Sequence, residues 1–305
     1  MRMKKRIMKT IALVCAFCLL TGCSMNHVKE QNDTSASRTA SASKDNKITV
    51  VSREEGSGTR DAFVQITGVL QTDDEGRKID QTTDQAVIAS NAEDMIKQVA
   101  SNETAIGYVS LGEYLNRKDE NIRAIDVNGV AATKKNVEKE SYVLSRPFNL
   151  AYSGKLNDLE EEFLRYVMSK GQGTISQSYV SVKKEESFLS LKPEGSIIVN
   201  GSTSMAPVMK ELAKDYMKEN PNATIQIQVT DSTSGLTAAM QNSCDFAMAS
   251  RDLKDYEQEL LTYKTIAKDG IAVVVNKKNT IKDISLKQLK QVFTGEIHSL
   301  NEEEQ

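Results

Sequence analysis

Short apolar runs alternate with helically periodic segments over most of the chain, from residue 48 onward. The apolar runs predict strands at residues 48–51, 105–109, 122–127, 197–199, 224–229 and 271–275. Elsewhere apolar residues recur every three or four positions, which predicts helices at residues 91–101, 156–169, 206–220 and 286–293. Strands that alternate with helices indicate an α/β fold, and we expect its sheets to be mostly parallel.

Three turns rich in glycine and hydroxyl residues each stand between a predicted strand and the start of a helical pattern. They are Arg53-Glu-Glu-Gly-Ser-Gly-Thr-Arg60, Gly201-Ser-Thr-Ser204 and Asp231-Ser-Thr-Ser-Gly235. Backbone N–H groups at a helix N-terminus suit a tetrahedral oxyanion, and hydroxyls and a guanidinium beside them add donors. Each turn alone is equally an ordinary N-cap, but three of them together with Arg53 indicate an anion site.

A fourth element follows the apolar stretch that ends at residue 248. Ser250 adds a hydroxyl, and Arg251 adds a second guanidinium. A surface ion pair is an equally good interpretation of Arg251.

The N-terminus has the features of a targeting segment. Five basic residues among the first nine precede an apolar stretch at residues 11–20, which is too short to span a bilayer and is typical of a signal peptide. The stretch ends in Leu20-Thr-Gly-Cys23, which resembles the bacterial lipobox, whose cysteine is diacylated and becomes the mature N-terminus. A plain secretory signal with a chance cysteine is the alternative. We expect Cys23 to anchor the protein on the extracytoplasmic face of the cell membrane.

Composition narrows the class of function. A net charge of -3 over 305 residues gives no sign of a basic nucleic-acid-binding surface. The chain has only two histidines, His27 in a polar linker and His298 near the terminus, which argues against histidine catalysis and metal binding. The sequence contains no nucleophile elbow, no Walker-type phosphate loop and no dinucleotide fingerprint. Of the two cysteines left after signal cleavage, we expect Cys244 to be a buried, inert thiol. We therefore expect a binding protein, not an enzyme, with no cofactor and no metal.

The chain resembles the phosphate-binding lipoprotein of bacterial ABC-type phosphate transporters over nearly everything after residue 46. The resemblance rests on the three turns, on Ala249-Ser-Arg251, and on residues 106–109, 145–148, 269–276 and 292–297. It implies a type II periplasmic-binding-protein-like fold, an α/β fold in which two lobes close on the ligand between them.

The segments of that family stand here in another order. The family's second half, about residues 48–182, precedes its first half, about residues 195–297. We interpret this order as a circular permutation, which is physically reasonable because domain termini often lie close together at the surface. A rearranged tandem chain that pairs with another copy is the alternative.

The resemblance also implies boundaries, with hinge crossings expected at residues 142–148 and 273–275. The predicted segments are a signal peptide with lipobox at 1–22, a flexible linker at 23–46, lobe 2 at 47–148, lobe 1 at 149–182 and 196–264, a connector at 183–195, the hinge and the rest of lobe 2 at 265–297, and a polar tail at 298–305.

Carried over residue by residue, the resemblance implies the contacts to phosphate. The implied ligands are Arg53, Ser57, Gly58, Thr59, Thr203, Ser204, Thr233, Ser234 and Ser250, with Ser202, Ser232 and Arg251 as further candidates. Glu55 would hold Arg53 in place. Some family members carry, at the position of Arg251, an aspartate that accepts the proton of bound hydrogen phosphate. Here Glu54, Asp231 and Asp252 are the candidates to replace it, and the sequence does not decide between them, so the choice between phosphate and sulfate stays open.

The implied partners are inorganic phosphate, an ABC-type phosphate permease and the membrane, reached through a lipid on Cys23. We expect a monomer that binds no nucleic acid. A surface phosphate sensor or adhesion-type protein on the same fold is the alternative. A phosphatase is disfavoured because a nucleophile–base pair is missing from the sequence.

Overall fold

The computed structural model of the protein describes residues 47–117 and 121–299. Its strands are β1 Thr49–Arg53, β2 Leu70–Thr72, β3 Lys78–Asp80, β4 Val87–Ala89, β5 Ala105–Ser110, β6 Ile122–Ala124, β7 Asp126–Val127, β8 Ser145–Tyr152, β9 Val180–Ser181, β10 Gly195–Gly201, β11 Ala223–Val229, β12 Phe246–Ala249, β13 Thr262–Asn276 and β14 Asp283–Ile284. Its helices are α1 Gly58–Thr67, α2 Ala92–Ser101, α3 Leu111–Arg117, α4 Lys134–Glu138, α5 Asp158–Val167, α6 Gly171–Ile175, α7 Ala206–Glu219, α8 Ser232–Met240, α9 Asp255–Leu260 and α10 Leu286–Thr294. The predicted signal peptide, the linker with Cys23 and most of the polar tail lie outside the described residues.

Ten of the described strands form one mixed sheet, in the order β11, β10, β12, β8, β13, β5, β1 and β4, with β6 and β9 also paired to β13. Neighbouring strands are parallel towards the two ends of the sheet, where β10 pairs with β11 and β12, and β1 pairs with β4 and β5. In the middle, β13 runs antiparallel to each of its partners, and β8 runs antiparallel to β12. The expectation of mostly parallel sheets is therefore wrong, because β8 and β13 carry the chain through the middle of the sheet in opposite directions.

The buried side chains divide into two cores. The first core gathers residues from 48–144 and 271–297, together with Val180. The second core gathers residues from 148–267 in two clusters, to which β12 contributes alternate residues. The chain passes from one core to the other between Leu144 and Phe148 at β8, and between Ala267 and Ile271 on β13. A hinge crossing was predicted at residues 273–275, but these residues lie within the first core. On β13 the chain passes between the cores before it reaches them.

The two ends of the described chain meet beside the first core. The backbone N–H of Ile48 donates to the carbonyl of His298 at 2.7 Å. The ring of Phe63 stacks on Tyr108, with 4.0 Å between centroids, and lies 4.6 Å from the ring of Phe293. Segments from opposite ends of the sequence therefore share one aromatic cluster.

Residues 183–195, predicted as a polar connector, are fixed against the second core. Glu162 accepts hydrogen bonds from the hydroxyl of Ser190 at 2.5 Å and from the backbone N–H of Leu191 at 2.8 Å. The ring of Phe188 packs edge-on against Tyr166, 5.1 Å between centroids. The polar composition of this segment does not reveal that one buried carboxylate and one aromatic ring hold it in place.

Several elements differ from their predicted form. Helix α8 begins at Ser232, inside the segment predicted as a turn, because the carboxylate of Asp231 caps it there. The predicted strand at residues 122–127 is interrupted between β6 and β7. Strand β8 was expected only as a hinge crossing, since Arg146 and Pro147 interrupt its apolar pattern. In the described part of the chain, no helix is both long enough and apolar enough to cross a membrane.

Cys244 is a free, buried thiol. Burial raises its pKa to about 11, so the thiol stays protonated at neutral pH. The prediction of a buried cysteine is confirmed, and a raised pKa is what an unreactive thiol would have.

Candidate functional site

The three hydroxyl-rich turns meet at the boundary between the first and second cores. The hydroxyl oxygen of Thr59, on α1, lies 2.8 Å from that of Ser204, in the turn before α7. Ser250 accepts a hydrogen bond from the hydroxyl of Ser202 at 2.9 Å, and its own hydroxyl oxygen lies 3.3 Å from that of Ser232. All five residues are at most 2% exposed, so the turns form one buried hydroxyl cluster.

Helix starts bring backbone donors to the same place. Helix α1 begins at Gly58, and the hydroxyl of its N-cap, Ser57, accepts a first-turn N–H at 3.4 Å. Helix α8 begins at Ser232, and its N-cap Asp231 accepts the backbone N–H of Ser234 at 2.8 Å. The first N–H groups of a helix have no acceptor within the helix and carry the positive end of its dipole. The site therefore combines hydroxyl donors with a positive backbone field.

Glycines allow the two sides to approach this closely. A Cβ atom at Gly58 would lie 2.2 Å from the hydroxyl oxygen of Ser232 and 2.7 Å from that of Ser250. Gly56 has a φ of +82°, and a Cβ atom there would lie 2.6 Å from a carboxylate oxygen of Asp231. Both positions therefore need a residue without a side chain, and Gly56 also needs the left-handed backbone that glycine adopts readily.

Arg53 contributes a buried positive charge and is 1% exposed. Its Nε and Nη2 donate to the two carboxylate oxygens of Glu54, each at 2.7 Å, and Nη2 also donates to the hydroxyl of Thr203 at 3.0 Å. Its Nη1 is buried and has no hydrogen-bond partner among the described residues. A buried guanidinium N–H without an acceptor is costly, so Nη1 is a donor suited to an anion. Glu54, and not the exposed Glu55 that was expected, holds this side chain.

Arg146, on β8, is a second buried guanidinium beside the hydroxyl cluster, and the sequence did not single it out. Its Nη1 donates to the hydroxyl of Thr59 at 2.8 Å and to the carbonyl of Ser250 at 2.9 Å, while Nη2 donates to Asp269 at 3.1 Å. Burial lowers the pKa of Arg146 and raises that of Asp269, and their ion pair opposes both shifts. The signal available in the sequence was a charged residue inside a segment that otherwise resembles a strand.

Glu113, on α3, is a buried carboxyl at the edge of this region. It lines a groove of about 880 Å³ together with residues of both sides, Asn91 from the first and Thr203 from the second among them. Burial raises the pKa of Glu113 to about 7, although the charge of Arg53 opposes the rise and that of Asp269 adds to it. Its Oε2 has no hydrogen-bond partner among the described residues.

The carboxylates expected to accept a ligand proton are otherwise engaged or exposed. Both oxygens of Glu54 accept from Arg53. Both oxygens of Asp231 accept from Ser234, and Asp252 is exposed. Near Arg53, Glu113 differs from these three carboxyls because it is buried and one of its oxygens has no hydrogen-bond partner among the described residues.

The remaining candidates have different surroundings. Ser234 is exposed, and its hydroxyl donates to Asp231 at 2.6 Å, so it belongs to the cap of α8 and lies apart from the buried cluster. Thr233 accepts a hydrogen bond from Arg251 at 3.3 Å. Its backbone N–H donates to the carbonyl of Gly56 at 3.2 Å, which ties α8 to the first turn.

Arg251 is 4% exposed and lies between two carboxylates, so it is no surface residue. Its Nη1 donates to Glu257 at 2.6 Å. Its Nε lies 2.8 Å from Asp61, although the two groups are not aligned as a hydrogen bond. With its charge balanced in this way, Arg251 joins α9 to α1 and has less charge to offer a ligand than Arg53.

Comparisons with known proteins identify the family of the chain. A family model described as PBP superfamily domain matches residues 15–170 and 189–304. Phosphate-binding protein PstS 2 from Streptococcus agalactiae serotype V is 37% identical to this chain over 285 residues, which cover 92% of each protein. Phosphate-binding protein PstS 2 from Streptococcus pneumoniae serotype 4 is 40% identical over 253 residues, 82% of this chain and 85% of that protein.

A solved structure indicates the same family. The crystal structure of the phosphate-binding protein of a phosphate ABC transporter from Streptococcus pneumoniae TIGR4 matches with a TM-score of 0.68 and 39% identity, covering 83% of this chain and 98% of that one. The chain therefore belongs to the PBP superfamily and, within it, to the family of phosphate-binding proteins named PstS.

Proposed function

We propose that this protein captures inorganic phosphate between two lobes, outside the cytoplasm, and delivers it to an ABC-type phosphate importer. The observation that carries the proposal is the buried, unpartnered Nη1 of Arg53 beside three converging turns. A guanidinium donor, hydroxyls and helix N-termini form the donor set that a tetrahedral oxyanion requires. The names of the relatives, phosphate-binding protein PstS 2, support phosphate as that anion.

In this proposal, both sides of the boundary donate to the ligand. The first side offers the charge of Arg53, the backbone of Gly58 and the hydroxyl of Thr59, and the second offers Ser204 and Ser250. The hydroxyls of Thr59 and Ser204 lie 2.8 Å apart. Each would exchange this partner for a phosphate oxygen, so that binding leaves neither buried hydroxyl unpaired.

We assign lobe 2 to the first core and lobe 1 to the second, with β8 and β13 as the crossing strands. We also propose that the segment order is a circular permutation within the family. The hydrogen bond between Ile48 and His298 supports new ends at this position, because it holds the two ends of the described chain together. Residues 183–195 would then connect the two positions that are the C-terminus and the N-terminus in the family's usual order.

We place the protein on the extracytoplasmic face of the membrane, held by a diacylated Cys23. The support is the sequence alone: a basic segment, an apolar stretch and Leu20-Thr-Gly-Cys23. Two acyl chains on one residue suffice for stable anchoring, and residues 24–46 would serve as the tether.

Calorimetric titration of the purified protein with phosphate tests the proposed ligand. We expect saturable one-site binding, and we expect Arg53→Gln to weaken it by roughly ten- to a hundredfold, the value of a charge-assisted hydrogen bond. Arg123→Gln is a matched control, because Arg123 donates to the backbone carbonyls of Asn279 and Ile281 and should leave the affinity unchanged. A folded wild-type protein that gives no binding heat with phosphate would contradict the proposal.

Phosphate uptake by cells separates transport from sensing. A strain that lacks the gene should take up less phosphate under phosphate limitation, and the wild-type gene should restore uptake. Normal uptake in the deletion strain, with phosphate binding intact in vitro, would favour the surface sensor or adhesion-type protein.

A further inference from the structure

Arg146 joins the two sides of the hydroxyl cluster. It lies on β8, where the chain passes from Leu144 in the first core to Phe148 in the second, and it is 3% exposed. A single nitrogen, Nη1, donates to the hydroxyl of Thr59 on α1 and to the carbonyl of Ser250 after β12. One guanidinium nitrogen therefore bonds to a group from each side of the boundary.

The bond from Arg146 sets the polarity of the Thr59 hydroxyl. A guanidinium N–H can only donate, so it occupies a lone pair on the Thr59 oxygen. The hydrogen of that hydroxyl is left for another acceptor, either Ser204 at 2.8 Å or the oxygen of an anion. A hydroxyl that faces an oxyanion is useful only as a donor, and Arg146 favours that orientation.

Asp269 fixes the position of Arg146. The two residues are opposite each other in the antiparallel pairing of β8 with β13, and their side chains are each 1% exposed. One carboxylate oxygen accepts from Arg146 at 3.1 Å, and the other accepts the backbone N–H of Gly112 at 3.2 Å. The guanidinium is thus placed by strand pairing and by a buried partner, not by a loop.

We propose that Arg146 is a positioning residue of the anion site, which orients Thr59 as a donor and links the two sides when the site is closed. This inference rests on the proposed phosphate function. Because the bonds of Arg146 span the boundary, they form as the two sides approach each other. Their loss should therefore speed the release of phosphate more than it slows capture.

A double-mutant cycle with Thr59 tests this role. Arg146→Lys keeps the charge opposite Asp269 but cannot reach Thr59, Ser250 and Asp269 in the same geometry. We expect phosphate affinity to fall roughly tenfold, mostly through faster dissociation in stopped-flow measurements. Thr59→Val removes the hydroxyl and keeps the shape of the side chain. In that background, Arg146→Lys should lower the phosphate affinity further by less than about twofold. Arg123→Gln should change neither rate.

Two results would overturn the inference while phosphate binding by the wild type stands. One is an unchanged affinity of the lysine variant, and the other is a full, additive loss in the Thr59→Val background. A second variant guards against misfolding: Arg146→Met with Asp269→Asn removes both buried charges together, a change that buried ion pairs often tolerate. This variant should melt cooperatively and still release phosphate faster, and wild-type release kinetics in it would also overturn the inference. If the wild type itself binds no phosphate, the proposed function fails instead.

Discussion

Most charges at the candidate site are balanced in pairs, and Glu113 is the exception. Arg53 lies against Glu54, and Arg146 lies against Asp269. Among the described residues, Glu113 has no salt-bridge partner, although it is buried and lines the groove beside Thr203. A buried carboxyl in this position costs free energy when it ionises, and its charge state should therefore affect an anion bound nearby.

Glu113→Gln should tighten phosphate binding at about pH 8.5 and leave it unchanged at about pH 6. Burial raises the pKa of Glu113 to about 7, so the carboxyl is neutral in the acid buffer and ionised in the basic one. When ionised, the carboxylate repels the anion and attracts Arg53, which should weaken phosphate binding by roughly fivefold. Calorimetry on both proteins at both pH values gives the ratio of affinities, in which the ionisation of phosphate itself cancels. A ratio that does not change with pH would contradict the prediction.

The same carboxyl should affect stability without any ligand. The pKa of Glu113 is higher in the folded protein than its ordinary value of 4.5, so the folded state binds this proton more tightly than the unfolded state. Its contribution to stability is therefore greatest below about pH 4.5 and is lost as the pH rises towards about 7. At about pH 8, Glu113→Gln should be more stable than the wild type by about 1–3 kcal/mol in denaturant titrations. Equal stabilities there would argue against a buried, ionised Glu113.

At the scale of elements, the site depends on how closely the start of α1 approaches the start of α8. The missing side chain at Gly58 leaves room for the hydroxyls of Ser232 and Ser250. The atoms that would collide with a Cβ atom belong to the opposite side of the boundary. A substitution there should consequently disturb the approach of the two sides more than the packing of either core.

Gly58→Ala should abolish measurable phosphate binding with little change in the melting temperature. A Cβ atom at this position would lie 2.2 Å from the hydroxyl oxygen and 2.9 Å from the Cβ atom of Ser232, so the two turns would have to move apart. Gly129→Ala is the opposite control, because Gly129 has a φ of +72° and open space around it. That variant should lose about 1 kcal/mol of stability and keep its affinity for phosphate. Tight binding by Gly58→Ala would show that the site does not need this contact.

Local sequence signals were enough to find the starts of these elements, but not the contacts between them. The turns at residues 53–60 and 201–204 were recognisable because a strand, small residues and a helical pattern follow one another. The pair Arg146 and Asp269 could not be found in this way, since the two residues are 123 positions apart and meet only through the pairing of β8 with β13. The choice of Glu54 over Glu55 depends on the direction of one side chain at the end of a strand.

At the scale of the molecule, one core is built from both ends of the described chain. Phe63 and Phe293 lie in the same aromatic cluster, and Ile48 bonds to His298. Residues 183–195 connect β9 to β10 along the second core. If the segment order is a permutation, the fold depends on these contacts and not on where the chain begins.

A reordered chain tests this view. It would begin at Lys192, run to His298, continue through a short glycine–serine linker to Ile48, and end at Leu191. We expect it to fold and to bind phosphate with about the affinity of the wild type, because the joined ends are adjacent and the new break follows Leu191, whose side chain is exposed and whose bond to Glu162 is kept. Calorimetry and thermal melting compare the two chains. A reordered chain that folds but binds no phosphate would contradict the idea that segment order is irrelevant to the site.

The most direct test of the account is a crystal structure of the protein grown with phosphate. We predict a phosphate between the two cores, with oxygens about 2.6–3.2 Å from Nη1 of Arg53 and from the hydroxyls of Thr59 and Ser204. Arg146 should still donate to Thr59, so that the hydroxyl hydrogen points to the ligand. Phosphate bound elsewhere, or an unchanged bond between Thr59 and Ser204 at saturating phosphate, would contradict the assignment of this site.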